Sequence, residues 1–131
     1  MEVVLDASAI IAVIADEPEG DKVVNLTQNV IIISPNVLSF EITNSLTRMI
    51  KKGLINDKEK MNNLIKSYLK IPIKFIENNL EEVLEIAWNH KLYAYDAFYL
   101  NTALRQNLPL LTFDLEMKKI GKELGIKILG D

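Results

Sequence analysis

Four acidic residues, Asp6, Glu41, Asp96 and Asp114, lie far apart in the sequence, each at a predicted strand end or helix flank beside apolar residues. Carboxylates among apolar neighbours lose hydration and repel one another, so several are tolerated together mainly where a hard cation neutralises their charge. Oxygen ligands of this kind suit Mg²⁺ or Mn²⁺. If the fold brings these acids together, the sequence predicts a divalent metal site.

Short polar side chains accompany these acids. Ser8 comes two residues after the first acid, and Thr112 two residues before the last. Such hydroxyls can hydrogen-bond a ligand carboxylate or a metal-bound water, or they can cap helices and close turns. Asn44 and Arg48 follow Glu41 by three and seven residues, which predicts a polar seam along one helix face. We expect Ser8, Thr112 and Asn44 to support the site.

Helix capping is the competing interpretation of three of the acids. Asp is a favoured N-cap residue, and Asp6, Asp96 and Asp114 each precede a predicted helix. Helical geometry argues against an outward orientation for Glu41, which falls on the border of an apolar stripe. Asp96 also shares a helix face with apolar residues one and two turns later. Taken alone, Asp6 and Asp114 are therefore explained more simply by capping than by catalysis, and this explanation is weaker for Asp96.

An α/β framework must position these side chains. Short apolar runs alternate with segments of helical period, and the predicted strands are Val3–Leu5, Val30–Ile33, Ile71–Ile76, Leu110–Thr112 and Ile126–Leu129. The predicted helices span residues 8–15, 20–28, 36–52, 57–69, 79–90, 96–107 and 115–124. This alternation indicates a three-layer α/β sandwich, in which a mostly parallel, five-stranded sheet is flanked by about seven helices. Ligands bind such sheets beyond the carboxyl ends of the strands, where Asp6 and Asp114 are expected.

The composition is that of one compact domain covering residues 1–131. Nearly half of the residues are hydrophobic, at 49%, and there are no cysteines, which excludes disulfide and thiol chemistry. The single His90 lacks partners for a zinc site, and no glycine-rich nucleotide-binding motif is present. The apolar opening stretch is too short to span a bilayer. We expect a soluble, cytoplasmic protein with no membrane association.

The formal net charge of −3 argues against a generic polyanion-binding protein. A local basic patch remains open, because Arg48, Lys51 and Lys52 cluster at the end of the third predicted helix. Taken alone, such a cluster is explained more simply as a solvated helix face.

The order of four short motifs resembles that of PIN domains, specifically the VapC-type toxin ribonucleases. The motifs cover nearly the whole chain: Asp6-Ala7-Ser8 after an apolar strand, Glu41 and Asn44 on a helix after Pro35, Tyr95-Asp96-Ala97-Phe98-Tyr99-Leu100, and Leu110-Leu111-Thr112-Phe113-Asp114. The resemblance implies strand order 3-2-1-4-5 and matches Asp6, Glu41, Asp96 and Asp114 to the family's acids, which bind Mg²⁺ or Mn²⁺. It matches Ser8 and Thr112 to the accompanying hydroxyls. It further implies an RNA substrate, a homodimer and a VapB-like antitoxin.

The expected reaction is metal-dependent hydrolysis of RNA phosphodiesters to 5′-phosphate and 3′-hydroxyl ends, with Asp6 and Asp96 as direct metal ligands. Three alternatives stay open. A receiver domain of two-component signalling would need paired acids after the first strand, and a haloacid-dehalogenase-type phosphatase would need Asp-x-Asp, whereas Asp6 is followed by Ala7 and Ser8. The third is a PIN-like module that binds RNA or protein without cleaving it.

Overall fold

Four parallel strands form the central sheet of the computed structural model, which describes residues 1–131. They are β1 (Glu2–Leu5), β2 (Ile31–Pro35), β3 (Ile73–Ile76) and β4 (Leu110–Leu111), in the order β3-β2-β1-β4. Seven helices connect and cover them: α1 (Ala7–Ile14), α2 (Gly20–Leu26), α3 (Leu38–Lys51), α4 (Lys58–Leu69), α5 (Leu80–His90), α6 (Ala94–Gln106) and α7 (Leu115–Glu123).

Both faces of the sheet are covered. Val3, Val4 and Leu5 of β1 are successive residues, so their side chains point alternately to opposite faces, yet each is at most 1% exposed. The helix α6 packs on β1, β2 and β4 and contacts α5 and α7, while α1 packs against α2, α3 and α4. The expected three-layer α/β arrangement is therefore confirmed, and its core joins both helical layers through the sheet.

The prediction of a fifth strand is wrong. Residues 126–129 lie beside β4, but they form a single parallel bridge, between Leu110 and Ile128, and not a strand. Leu110 donates its N–H to the carbonyl of Lys127 and accepts from Leu129, both at 2.9 Å. β4 contains only two residues, so it is too short to form a ladder with a further strand. The sheet order is 3-2-1-4.

Proline and turn chemistry explain where the strand ends differ from prediction. Pro72 has no N–H to donate, and β3 begins at Ile73 directly after it. The N–H of Val30 bonds the carbonyl of Thr27 in a turn, so β2 begins one residue later than predicted. Pro35 ends β2, opposite Ile76 of β3, and the helix predicted from residue 36 begins at Leu38.

No helix in the structure is both long enough and apolar enough to span a bilayer.

Candidate functional site

One cavity of about 500 Å³ lies at the edge of the sheet beyond the carboxyl ends of β1 and β4. Asp6, Glu41, Asp96 and Asp114 all line it. Asp6 follows β1, Glu41 comes from the first turn of α3, Asp96 from the first turn of α6, and Asp114 precedes α7. The fold thus brings together four acids that are separated by as much as 108 residues of sequence.

Asp6 is the most buried of the four, with 4% of its surface exposed. Its Oδ1 accepts hydrogen bonds from Ser8 Oγ at 2.7 Å and from the Ala9 N–H at 3.1 Å, and its Oδ2 accepts from Thr112 Oγ1. Burial raises the pKa of Asp6, whereas these hydrogen bonds oppose that rise. The Ala9 bond is an N-cap interaction, so Asp6 caps α1 and lines the cavity at the same time.

Ser8 and Thr112 connect the ends of β1 and β4. The N–H of Phe113 donates to Ser8 Oγ, and that of Asp114 donates to Thr112 Oγ1, both at 3.1 Å. Asp114 is exposed and caps α7 by accepting from the Met117 N–H at 3.0 Å. The two hydroxyls therefore fix the position of Asp6 and the local backbone that carries Asp114.

Glu41 is held by one hydrogen bond. It lies half-buried on α3, and the hydroxyl of Tyr99 on α6 donates to its Oε1 at 2.5 Å. Burial raises the pKa of Glu41, the Tyr99 hydrogen bond lowers it, and the nearby Asp6 charge raises it again. Its Oε2 accepts no hydrogen bond from the protein, which leaves that oxygen available to a ligand.

Asp96 does not cap α6, although its position at the start of the predicted helix had indicated a capping role. The helix begins two residues earlier, at Ala94, with Tyr93 in the N-cap position and no capping side chain. Asp96 accepts no hydrogen bond from another residue. Its pKa is raised to about 6, mainly by partial burial and then by the nearby carboxylates of Asp114, Glu41 and Asp6. Its charge is therefore the least compensated by the protein.

These acids match a divalent cation by chemistry. All of the donors are carboxylate oxygens, which Mg²⁺ and Mn²⁺ prefer. Burial and then repulsion from nearby carboxylates raise the Asp96 pKa, and such a cation would relieve that repulsion. As the side chains are arranged, no three acidic or histidine side chains in the chain stand close enough to hold one ion. All four acids nevertheless line one cavity, and a carboxylate side chain can rotate toward a cation whereas the backbone positions are set by the fold.

The sequence over residues 3–123 matches the PIN domain family. The chain belongs to this family. Membership removes the receiver and phosphatase alternatives, because neither is a PIN domain. A comparison with curated proteins found no match.

Solved structures share the fold of this PIN domain. PAE2754 from Pyrobaculum aerophilum is 28% identical with a TM-score of 0.71, and the match covers 92% of this chain and 79% of that one. VapBC2 from Rickettsia felis, bound to a DNA fragment from their promoter, is 15% identical with a TM-score of 0.68, covering 98% and 97%. FitAcB from Neisseria gonorrhoeae is 15% identical with a TM-score of 0.64, covering 96% and 95%.

Basic side chains border the acids of this PIN domain. Arg48 and Lys52, on α3 and at its C-terminal end, line the cavity, and Arg48 donates from Nη2 to Ser45 Oγ at 3.1 Å. Lys51 is exposed and lies outside the cavity. Of the three basic residues that the sequence singled out, the fold therefore places two beside the acids.

Asn44, which was expected to support the site, is exposed and does not line the cavity. Ser45 lines it instead. At 100° per residue, a residue four positions after Glu41 lies about 40° around the helix from it, and one three positions after lies about 60° away on the other side. The cavity lies on the Ser45 side of the helix. Tertiary packing determines this side, and the helical period alone does not predict it.

Tyr99 belongs to one of the four sequence motifs, but the sequence alone assigned it no role in the site. Its side chain is 1% exposed, yet Tyr99 lines the cavity and its hydroxyl donates to the cavity-lining Glu41. The available signal was its spacing, because it follows Asp96 by three residues and so shares a helix side with it. Apolar residues that line the cavity, such as Ile11, Met49 and Leu54, also carried no sequence signal beyond core periodicity.

Proposed function

We propose that this PIN domain is a metal-dependent endoribonuclease that hydrolyses RNA phosphodiester bonds to 5′-phosphate and 3′-hydroxyl ends. One observation carries the proposal: four carboxylates from the β1–α1 connection, α3, α6 and the β4–α7 connection line a single open cavity. PIN domains are generally nucleases, and an acid-lined cavity with two basic residues at its border suits a phosphodiester substrate.

The four acids have different proposed roles. Asp6 and Asp96 bind Mg²⁺ or Mn²⁺ directly, and Glu41 and Asp114 contribute by direct contact or through water. When bound, the metal supplies a water of lowered pKa and neutralises charge on the phosphoryl group and the leaving 3′ oxygen. Ser8 and Thr112 keep Asp6 in one orientation through the hydrogen bonds described above.

RNA must be bound by a local patch, since the net charge is −3. Arg48 and Lys52 border the acids and are proposed to contact phosphates that flank the cleaved bond. Lys51 is proposed only as a peripheral contact, because it lies outside the cavity. The apolar side chains of Met49 and Leu54 add surface on which a base can pack.

The cleavage test uses end-labelled RNA, purified protein and Mg²⁺ or Mn²⁺. Asp6→Asn and Asp96→Asn should each abolish cleavage, as should a chelator, and product ends should be ligatable as 5′-phosphates. Glu85→Gln is the matched control, because Glu85 is exposed on α5 outside this cavity. Cleavage by Asp96→Asn at the wild-type rate would exclude this mechanism. RNA binding that ignores Mg²⁺, without any cleavage, would favour the silent binding module instead.

We further propose that the protein is the toxin of a VapBC-type pair and acts in the cytoplasm. Structures with the same fold include VapBC2 and FitAcB, and a further one is FitAB bound to an IR36 DNA fragment. A VapB-like antitoxin would inhibit most simply by placing a basic side chain among the acids. Addition of the protein from the neighbouring reading frame should stop RNA cleavage at a 1:1 ratio, and a partner that leaves cleavage unchanged would contradict this assignment.

A homodimer is also proposed. Leu80, Leu84 and Trp88 recur every fourth residue along α5 and are 64%, 64% and 85% exposed, so they form one apolar stripe on the surface. Surfaces of this kind commonly mark protein contacts. Light scattering should give twice the monomer mass, and Trp88→Glu should reduce it while Glu85→Gln does not. A monomeric mass at about 50 μM, well above the Kd of ordinary homodimers, would contradict this proposal.

A further inference from the structure

Tyr99 lies where a core residue meets the acid-lined cavity. Its side chain is among the largest that are fully buried, at 1% exposure, while Tyr99 also lines the cavity and its hydroxyl donates to Glu41 Oε1 at 2.5 Å. Tyr99 follows Asp96 by three residues on α6, whereas Glu41 is on α3. A single helix therefore supplies one acid and also the group that contacts the acid of another helix.

The support given to Glu41 differs from that given to Asp6. Asp6 accepts from Ser8, from Thr112 and from a backbone N–H, so the loss of one donor leaves two. Glu41 accepts from Tyr99 alone, and no basic side chain forms a salt bridge with it. A glutamate side chain has three rotatable bonds, so without that donor its carboxylate is free to adopt several positions.

We propose that Tyr99 is a positioning residue, which fixes Oε1 of Glu41 and leaves Oε2 free, so that Glu41 would help to hold a divalent cation in the cavity. This inference rests on the proposed metal-dependent nuclease function. Removal of an outer group that orients a metal ligand typically reduces metal affinity about 10- to 100-fold. The hydroxyl thus sets metal affinity, while the ring sets core packing, and Tyr99→Phe separates the two because it keeps the ring.

Crystal structures and Mn²⁺ binding followed by electron paramagnetic resonance test this role. In the wild type we expect one position of the Glu41 carboxylate, and in Tyr99→Phe several, with Mn²⁺ bound about 10-fold more weakly. Tyr68→Phe is the matched control, because the buried Tyr68 hydroxyl shares a hydrogen bond with Ser39 Oγ at 2.7 Å and neither residue lines the cavity. That control should bind Mn²⁺ as the wild type does.

A double-mutant cycle tests whether the effect passes through Glu41. In a Glu41→Gln background, Tyr99→Phe should change Mn²⁺ affinity less than twofold, since the carboxylate that it orients is gone. An undiminished 10-fold effect in that background, or an ordered Glu41 and unchanged affinity in Tyr99→Phe, would overturn the positioning role alone. Wild-type protein that binds no Mn²⁺ and cleaves no RNA would instead remove the proposed function, and the crystal structures would still decide whether Tyr99 orders Glu41.

Discussion

Replacement of Asp96 by Asn should stabilise the metal-free fold at neutral pH, although we expect it to abolish cleavage. Partial burial and the surrounding carboxylates raise the Asp96 pKa from 3.8 to about 6. A rise of that size corresponds to about 3 kcal/mol of unfavourable free energy in the ionised folded state. Solvent screens a half-buried group, which reduces the figure to about 1.5 kcal/mol. The substitution also removes an acid from the first turn of α6, where a negative charge stabilises the helix by about 0.5 kcal/mol. The net gain in the free energy of unfolding is therefore about 1 kcal/mol.

The pH dependence follows from proton binding. Because its pKa is higher in the folded state, Asp96 binds more protons when folded than when unfolded between about pH 4 and pH 6. Its contribution to stability therefore falls as pH rises through that window, and the full penalty is present above it. The gain from Asp96→Asn should be complete at pH 7.5 and only about a third as large at pH 4.5.

Urea unfolding monitored by far-ultraviolet circular dichroism in the presence of chelator measures this effect. For a domain of this length, a gain of about 1 kcal/mol also raises Tm by about 3–4 °C. Asp21→Asn is the matched control, since Asp21 is an exposed acid in the first turn of α2 and is expected to lose up to about 0.5 kcal/mol. An Asp96→Asn protein no more stable than the wild type at pH 7.5, or equally stabilised at both pH values, would refute the reasoning.

Three further substitutions test the support of Asp6 and two contacts elsewhere in the fold. Thr112→Val should destabilise the protein by about 1–3 kcal/mol in urea unfolding at pH 7.5, because the buried Asp6 carboxylate loses a donor; no change would show that water replaces it. Gly20→Ala should lower Tm and cost about 1–3 kcal/mol, because the added Cβ would lie 2.5 Å from the Ala12 carbonyl oxygen. Arg105→Ala, which breaks an exposed pair with Glu82, should change the free energy of unfolding by less than about 1 kcal/mol; a larger loss would contradict this expectation.

Local sequence patterns were enough to predict where Asp6 and Asp114 lie. Each follows a short apolar strand, and parallel strands end at one edge of the sheet, so their meeting follows from strand direction alone. The half-buried position of Glu41 followed from helical phase. These predictions needed only periodicity and the parallel sheet, both of which are encoded in neighbouring residues.

Other features depend on contacts between distant segments. The contact of Tyr99 with Glu41 joins residues 58 apart on two helices, and no local pattern encodes how those helices pack. The start of α6 was misplaced because Tyr93 provides no capping side chain, so Asp96 was the first residue that resembled a cap. The last apolar segment has strand-like composition, but whether it forms a ladder depends on the length of its neighbour β4.

The four acids differ in what compensates their charge, and this difference suggests how the site responds to its partners. Asp6 accepts hydrogen bonds from three protein donors, which oppose the rise in its pKa that burial causes. Asp96 has no donor from another residue, and four other carboxylates raise its pKa, so its ionisation responds most to added positive charge. A divalent cation and a basic side chain from an antitoxin would both relieve the same repulsion at Asp96. Under the proposed function, an activating cation and an inhibiting antitoxin therefore compete for the same carboxylate, and excess metal should weaken antitoxin binding in the cavity.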